Sequence, residues 1–145
     1  MIEFEGKVWK DPDSSWWLAE IFFLDIMAQG KTRKEALKML KDAIKEMIKD
    51  SFEASKCKKI NLMIHLYENQ MIGLGSSDNT LIFSLGLKRQ RMISGSSIRE
   101  VAERLNSKHP NAYARYEKAQ AKPSLEKCAQ LLHAVNPDRR PLLVG

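Results

Sequence analysis

The sequence has little cysteine and no long apolar run, and both absences narrow the class of protein. Cys57 and Cys128 lie far apart and form no Cys-x-x-Cys pair, which argues against a disulfide framework and a cysteine zinc site. The most apolar stretch, residues 16–28, contains two acidic residues and is too short to span a bilayer. Since the N-terminus also lacks the apolar core of a signal peptide, we expect a cytoplasmic protein with reduced cysteines and no membrane association.

Motifs for catalysis and for cofactor binding are missing as well. The sequence contains no glycine-rich phosphate loop, no His-Glu-x-x-His motif and no Ser/His/Asp arrangement. His65, on the polar face of a predicted strand, has no His, Cys or acid at ligand spacing and is expected at the surface. Glu3 and Glu5 could belong to the carboxylate cluster of a metal-dependent nuclease, although a solvated strand face explains them more simply. We therefore expect no enzymatic activity, no metal and no cofactor.

Positive charge is concentrated in the second half of the chain. The net charge is +6 over 145 residues. Residues 1–70 contain 12 basic and 12 acidic side chains, whereas residues 71–145 contain 12 basic and 6 acidic ones. The whole excess therefore lies in the C-terminal half, where a polyanionic partner is expected to bind.

The first half of the chain has the pattern of a small sheet with one long helix. Apolar and polar residues alternate in the segments read as strands. Thr32 and Glu35 can form a capping box ahead of a helix whose apolar residues recur every three or four positions. The predicted elements are strands over residues 2–9, 16–21, 26–28 and 60–67 and a helix over about 33–51. Residues 1–70 thus predict a β-β-β-α-β domain, and residues 71–78, rich in Gly and Ser, predict a short strand and a hinge.

The second half of the chain has the pattern of short helices separated by turns. The predicted helices cover about residues 79–93, 98–105, 110–118 and 125–135. The middle two are joined by a short turn, as in proteins that place one helix in the 12 Å wide major groove and rest the other on the backbone. We predict a DNA-binding domain over residues 79–138 and an α+β protein as a whole.

The second helix of this pair carries the side chains that we expect to read bases. Asn111, Ala112 and Arg115 fall on its exposed side, and Asn suits adenine while Arg suits guanine. Ser97, expected to cap the first helix, and His109, just before the second, complete the predicted DNA-binding set. The predicted phosphate contacts are Lys88, Arg89, Arg91, Arg99, Lys108 and Lys118. The predicted core of the pair is Ile98, Val101, Ala102, Leu105, Tyr113 and Tyr116.

The amino-acid sequence of the C-terminal half resembles the XRE (Cro/repressor-like) helix-turn-helix. The matching residues are Ser-Ile-Arg-Glu-Val-Ala-Glu-Arg-Leu at 97–105, Ala-Tyr-Ala-Arg-Tyr-Glu at 112–117, Pro-Ser-Leu-Glu at 123–126 and Leu131. The turn is one residue longer than in the family pattern. Asn106 stands where that pattern has Gly, and Lys118-Ala119 replaces the Gly that follows the second helix.

The amino-acid sequence of the N-terminal half is similar to the HicB antitoxin domain. The similarity lies in Trp16-Trp17-Leu18-Ala19-Glu20, in the run from Gln29 to Leu37, and in Leu87-Lys88-Arg89-Gln90-Arg91, which precedes the helix-turn-helix in HicB proteins with an XRE-type tail. The resemblance implies a truncated RNase H-like fold that binds a HicA-like RNase toxin, and repression of the protein's own operon. It makes Trp9, Trp16 and Trp17 candidate toxin-binding residues, some of which must pack in the small sheet.

Three other interpretations stay open at this point. The chain could be a stand-alone XRE-type regulator whose α/β half senses a ligand or only dimerises. It could be the metal-dependent nuclease considered above, or a helical bundle whose basic residues form only a solvated face. For either regulator we expect a homodimer or a higher homo-oligomer, because a two-fold operator is read by a two-fold protein.

Overall fold

A computed structural model describes residues 2–138 of the chain. The chain divides into two compact units with the boundary between Asn79 and Thr80. The first unit contains a five-stranded sheet with two helices, and the second is helical. The protein therefore belongs to the α+β class, as the sequence predicts.

The N-terminal unit is an antiparallel sheet with its longest helix on one face. Its elements are β1 (Phe4–Lys10), β2 (Trp17–Ile21), β3 (Ile26–Gly30), α1 (Arg33–Ser51), α2 (Ala54–Cys57), β4 (Leu62–Leu66) and β5 (Met71–Ser76). The strands lie in the order β3-β2-β1-β5-β4, and every neighbouring pair is antiparallel. The predicted strands and the long helix are thus confirmed to within about two residues at their ends.

Apolar residues on one face of the sheet and one side of α1 make the core of this unit. On the sheet the buried side chains are Val8, Ala19, Ile21, Ile26, Leu62, Ile72 and Leu74. On α1 they are Ala36, Leu40, Ile44 and Ile48, which recur at helical spacing. The helix starts at the predicted N-cap, because the Thr32 hydroxyl accepts from the Glu35 amide. The Glu35 carboxylate accepts from the Lys31 amide and not from the Thr32 amide, so the reciprocal half of the predicted capping box is shifted by one residue.

The segment after β4 corrects the sequence-based boundary. Residues 71–76 form β5, which is buried over its last five residues and pairs with β1 on one side and β4 on the other. Asn69 and Gln70 take left-handed backbone angles (φ 58° and 67°) and close the hairpin between β4 and β5. The first unit consequently ends near residue 79 instead of 70. The short strand predicted within residues 71–78 is β5, a central strand of the sheet and not part of a hinge, and α2 is an element that the sequence analysis did not predict.

The C-terminal unit is a cluster of four helices around its own core. These are α3 (Asn79–Ser94), α4 (Ile98–Arg104), α5 (Pro110–Glu117) and α6 (Leu125–Val135). Its core residues are Leu87, Val101, Ala102, Tyr113, Leu131, Ala134 and Val135, with Ile98, Leu105 and Tyr116 packed against them. The predicted core of the helix pair is confirmed. None of the helices described over residues 2–138 has the length and apolarity needed to cross a membrane.

Candidate DNA interface

Two local motifs set the geometry of α4 and α5. Ser97 and Glu100 form a capping box at the start of α4, with distances of 3.0 and 3.1 Å. At its end Asn106 adopts a left-handed conformation (φ 56°), and the Ser107 amide donates to the Ala102 carbonyl at 2.9 Å. Asn106 thus adopts the left-handed conformation for which the XRE pattern has Gly. Pro110 then starts α5 at the position where a proline costs no hydrogen bond.

A buried ion pair fixes α5 against α3. The Arg91 guanidinium donates to both carboxylate oxygens of Glu117, at 2.9 and 2.7 Å, and a third nitrogen donates to the Ser96 carbonyl at 3.1 Å. The hydrogen bonds that Arg91 donates to Glu117 raise the pKa of Arg91 above its usual value. Arg91 was predicted to meet phosphate; its guanidinium is instead committed to Glu117, because α3 and α5 bring the two side chains within hydrogen-bond distance. We therefore remove Arg91 from the candidate interface.

The side of α5 opposite this ion pair faces solvent. Asn111, Ala112 and Arg115 are exposed, whereas Tyr113 and Glu117 are buried. Burial also raises the pKa of the Tyr113 phenol, so this hydroxyl stays protonated in the folded unit. The three residues predicted to read bases therefore share one exposed helical surface, where an amide and a guanidinium can reach base edges.

The other residues predicted to contact phosphate differ in exposure. Arg99, Lys108 and Lys118 are exposed, while Lys88 and Arg89 are half-buried. His109 is exposed at the N-cap position of α5 and makes no side-chain capping bond there, and the first turn of that helix contains no acidic residue. Since a helix N-terminus carries partial positive charge, this end of α5 favours phosphate.

Sequence reasoning missed the polar contacts that hold the other helices together. Arg104 on α4 donates to the Ser96 hydroxyl and to the Ala134 carbonyl at the end of α6, both at 2.8 Å. The Asn136 amide donates to buried Gln90 at 3.1 Å. These partners lie up to 46 residues apart, so no local pattern marks them.

The three tryptophans predicted to bind a protein do not form one patch. Trp9 and Trp17 lie opposite Leu18 and Lys10 in the β1–β2 register, which places the two indoles on opposite faces of the sheet. Trp16 precedes β2 and is exposed, and Trp9 packs under the Lys7 ammonium at 5.2 Å from its ring centroid. A partner that contacts one face can therefore meet Trp9 or Trp17 but not both.

The structure brings Glu3 together with two residues of β4 and its hairpin. The Glu3 carboxylate accepts a hydrogen bond from the Tyr67 hydroxyl at 2.5 Å and contacts His65 Nδ1. His65 is exposed, as predicted, and its acidic neighbour is one that sequence spacing does not show: the pairing of β5 between β1 and β4 brings together residues 62 positions apart. These bonds, first from Tyr67 and then from His65, lower the pKa of Glu3. Over residues 2–138 no group of three or more His, Cys, Asp or Glu side chains is arranged to hold a metal ion.

A pocket of about 170 Å³ lies at one end of the N-terminal sheet. Seven residues line it: Val8, Trp17, Arg33, Leu66, Tyr67, Gln70 and Met71. We call it the corner pocket, because it lies where β1, β2 and the β4–β5 hairpin meet the start of α1. Trp17 is thus the predicted protein-binding tryptophan that borders a concave surface.

Comparison with known proteins bears on the C-terminal unit. No curated protein matches the chain. Residues 87–136 match the model of the Helix-turn-helix family, a span that runs from the middle of α3 to the end of α6. The C-terminal unit therefore contains an XRE-type helix-turn-helix domain, which indicates sequence-specific DNA binding and transcription regulation.

Proposed function

We propose that this protein is a repressor that reads an operator with α5. The observation that carries the proposal is the bidentate Arg91–Glu117 pair, which fixes α5 and leaves Asn111, Ala112 and Arg115 exposed on it. Major-groove reading requires a rigidly held helix with hydrogen-bonding side chains on its outer surface. The proposed complex contains two or more copies of the chain on a two-fold operator.

We further propose that the repressor is a HicB-like antitoxin. In this role the N-terminal unit binds and neutralises a HicA-like RNase toxin, and the helix-turn-helix represses the operon that encodes both proteins. Support comes from the sequence of residues 29–37, which end β3 and begin α1 behind the Thr32 N-cap, and from the strand order β3-β2-β1. The N-terminal unit acts by binding, without catalysis or cofactor, because Glu3 is engaged by Tyr67 and His65 instead of standing in a carboxylate cluster.

Titration of a fluorescent fragment of the protein's own promoter tests the repressor proposal. We expect binding that weakens steeply with salt, since phosphate contacts release counterions. Arg115→Ala should weaken it by about 1–3 kcal/mol if Arg115 makes a bidentate base contact. Lys45→Ala, which removes an exposed cation of the N-terminal unit, is the matched control and should leave affinity unchanged. Binding without salt dependence, or equal losses in both variants, would contradict the proposal.

Co-expression with the product of the neighbouring short gene tests the antitoxin proposal. The full-length chain should restore growth that the neighbour's product arrests, and the two proteins should co-purify. The Arg115→Ala variant should still rescue growth, since Arg115 lies on α5 in the C-terminal unit and the proposed toxin-binding unit is the N-terminal one. If the neighbouring product neither arrests growth nor binds, the chain is a regulator of another kind.

A further inference from the structure

The corner pocket is an uncovered part of an otherwise buried face. Val8, Trp17 and Leu66 belong by strand alternation to the face that carries the core, since their register partners or next-but-one neighbours are buried Ala19 and Ile72. Val8 is 2% exposed, but Leu66 is 50% exposed. α1 begins only at Arg33 and packs mainly on β3 and β2, so it leaves this end of β1 and β4 open.

The size and lining of the pocket point to a protein partner. Pockets for drug-sized ligands measure about 300–1,000 Å³, whereas this one measures about 170 Å³, space for roughly one side chain. Its lining includes Trp, Tyr, Arg and Met, which are the residue types enriched at protein–protein interfaces. A protein surface that inserts one apolar side chain here would bury the open face of Leu66 and the edge of Trp17.

The charge at the pocket predicts which residue of the partner lies next to the inserted apolar side chain. Arg33 is exposed, and its guanidinium has no hydrogen bond or ion pair with any residue in 2–138. Lys10 and Lys31 are also exposed. Lys10 pairs with Trp17 in the sheet, and Lys31 follows Gly30, the partner of Trp17 on β3. The Glu35 carboxylate is engaged by the Lys31 amide and does not pair with Arg33. Arg33 is the one charged side chain among the seven that line the pocket, so the pocket complements a carboxylate.

We propose that the corner pocket is the anchor site for the partner of the N-terminal unit. An apolar side chain of that partner fills the pocket, and an adjacent carboxylate pairs with Arg33 in bidentate geometry. This inference rests on the proposed antitoxin function, since the partner is the protein that the first unit binds.

Isothermal titration of the full-length chain with the neighbouring gene product tests the anchor site. Arg33→Glu and Leu66→Asn should each weaken binding by roughly tenfold or more, as expected for residues at the centre of an interface. Arg33 lies at the first position of α1, where an acid is favourable, so this variant should stay folded. The matched controls are Lys45→Glu, a charge reversal further along α1, and Met27→Asn, an exposed apolar residue on the opposite face.

The outcomes separate this inference from the function on which it rests. Restoration of the Arg33→Glu affinity by a carboxylate-to-lysine change in the partner would establish the ion pair. If the wild-type complex forms and both pocket variants bind like wild type, or the controls weaken as much, the anchor site is wrong and the antitoxin function stands. If only Leu66→Asn weakens binding, the carboxylate contact is wrong. If no complex forms, the antitoxin function fails and the anchor site with it.

Discussion

Replacing Arg91 by methionine tests the ion pair that fixes α5. The change keeps the apolar stem of the side chain and removes three hydrogen bonds, two to Glu117 and one to Ser96. The Arg91 and Glu117 side chains are 16% and 7% exposed. The carboxylate of Glu117 would thus remain in a poorly hydrated site without its cation, which is costly.

The expected loss is about 3 kcal/mol of unfolding free energy of the C-terminal unit. Removing one partner of a buried pair costs about 3–5 kcal/mol, and the residual exposure of Arg91 places this case at the lower end. For a unit of this size that loss lowers the thermal midpoint by roughly 12–24 °C. Circular dichroism at 222 nm follows the helices, whereas tryptophan fluorescence reports on the first unit alone, which contains all three tryptophans.

The control removes an ion pair that solvent screens. Lys49→Met breaks the contact with Glu46, in which both side chains are more than half exposed, and should cost less than about 1 kcal/mol. The double variant Arg91→Met with Glu117→Leu should recover part of the loss, since no buried charge is left unpaired. If Arg91→Met costs no more than Lys49→Met, the pair does not fix α5 and the reasoning fails.

Three further predictions concern backbone strain, close packing and acid stability. Ala119→Gly should stabilise the C-terminal unit by about 0.5–1 kcal/mol in the circular dichroism melt, because Ala119 has a left-handed φ of 58°. The control, Ala121→Gly, should destabilise the unit or leave its stability unchanged. Gly6→Ala should destabilise the N-terminal unit by about 1–3 kcal/mol or more in fluorescence-monitored urea unfolding, because the added methyl group would overlap the Glu20 carbonyl oxygen. The pKa of Glu3 is lowered in the folded protein, so the stabilisation that its carboxylate contributes is present above about pH 4.5 and is lost as pH falls through the lowered pKa. Glu3→Gln should flatten this part of the profile of stability against pH. An unchanged profile would contradict the bonds from Tyr67 and His65 to Glu3.

Most of the elements follow from local patterns in the sequence. The Thr32 N-cap and the helical recurrence behind it locate α1, and the Ser97 cap and Pro110 locate α4 and α5 in the same way. The outward position of Arg115 and the burial of Tyr113 follow from the 3.6-residue period. These features depend on residues within about one or two helical turns of each other, so the sequence alone predicts them.

Features that depend on strand register and long-range contacts could not be predicted in this way. The meeting of Glu3 with His65 requires the strand order β1-β5-β4, which no local pattern specifies. Arg91 stands in a run of basic residues, which is typical of phosphate contacts, and only the packing of α5 on α3 shows its pairing with Glu117. Trp9 and Trp17 both lie in predicted strands, and the sequence does not distinguish their environments, but the register places them on opposite faces of the sheet.

The position of β5 affects the order in which the first unit can fold on the ribosome. β5 comes last among the strands but lies between β1 and β4, so β1 has one unpaired edge until residue 76 has been synthesised. Contacts between residues so far apart carry a large loop-closure cost and slow folding. The nascent β1-β2-β3-α1 segment therefore exposes a strand edge and apolar surface while α2 and both later strands emerge, which makes this interval the period of greatest risk of aggregation or degradation.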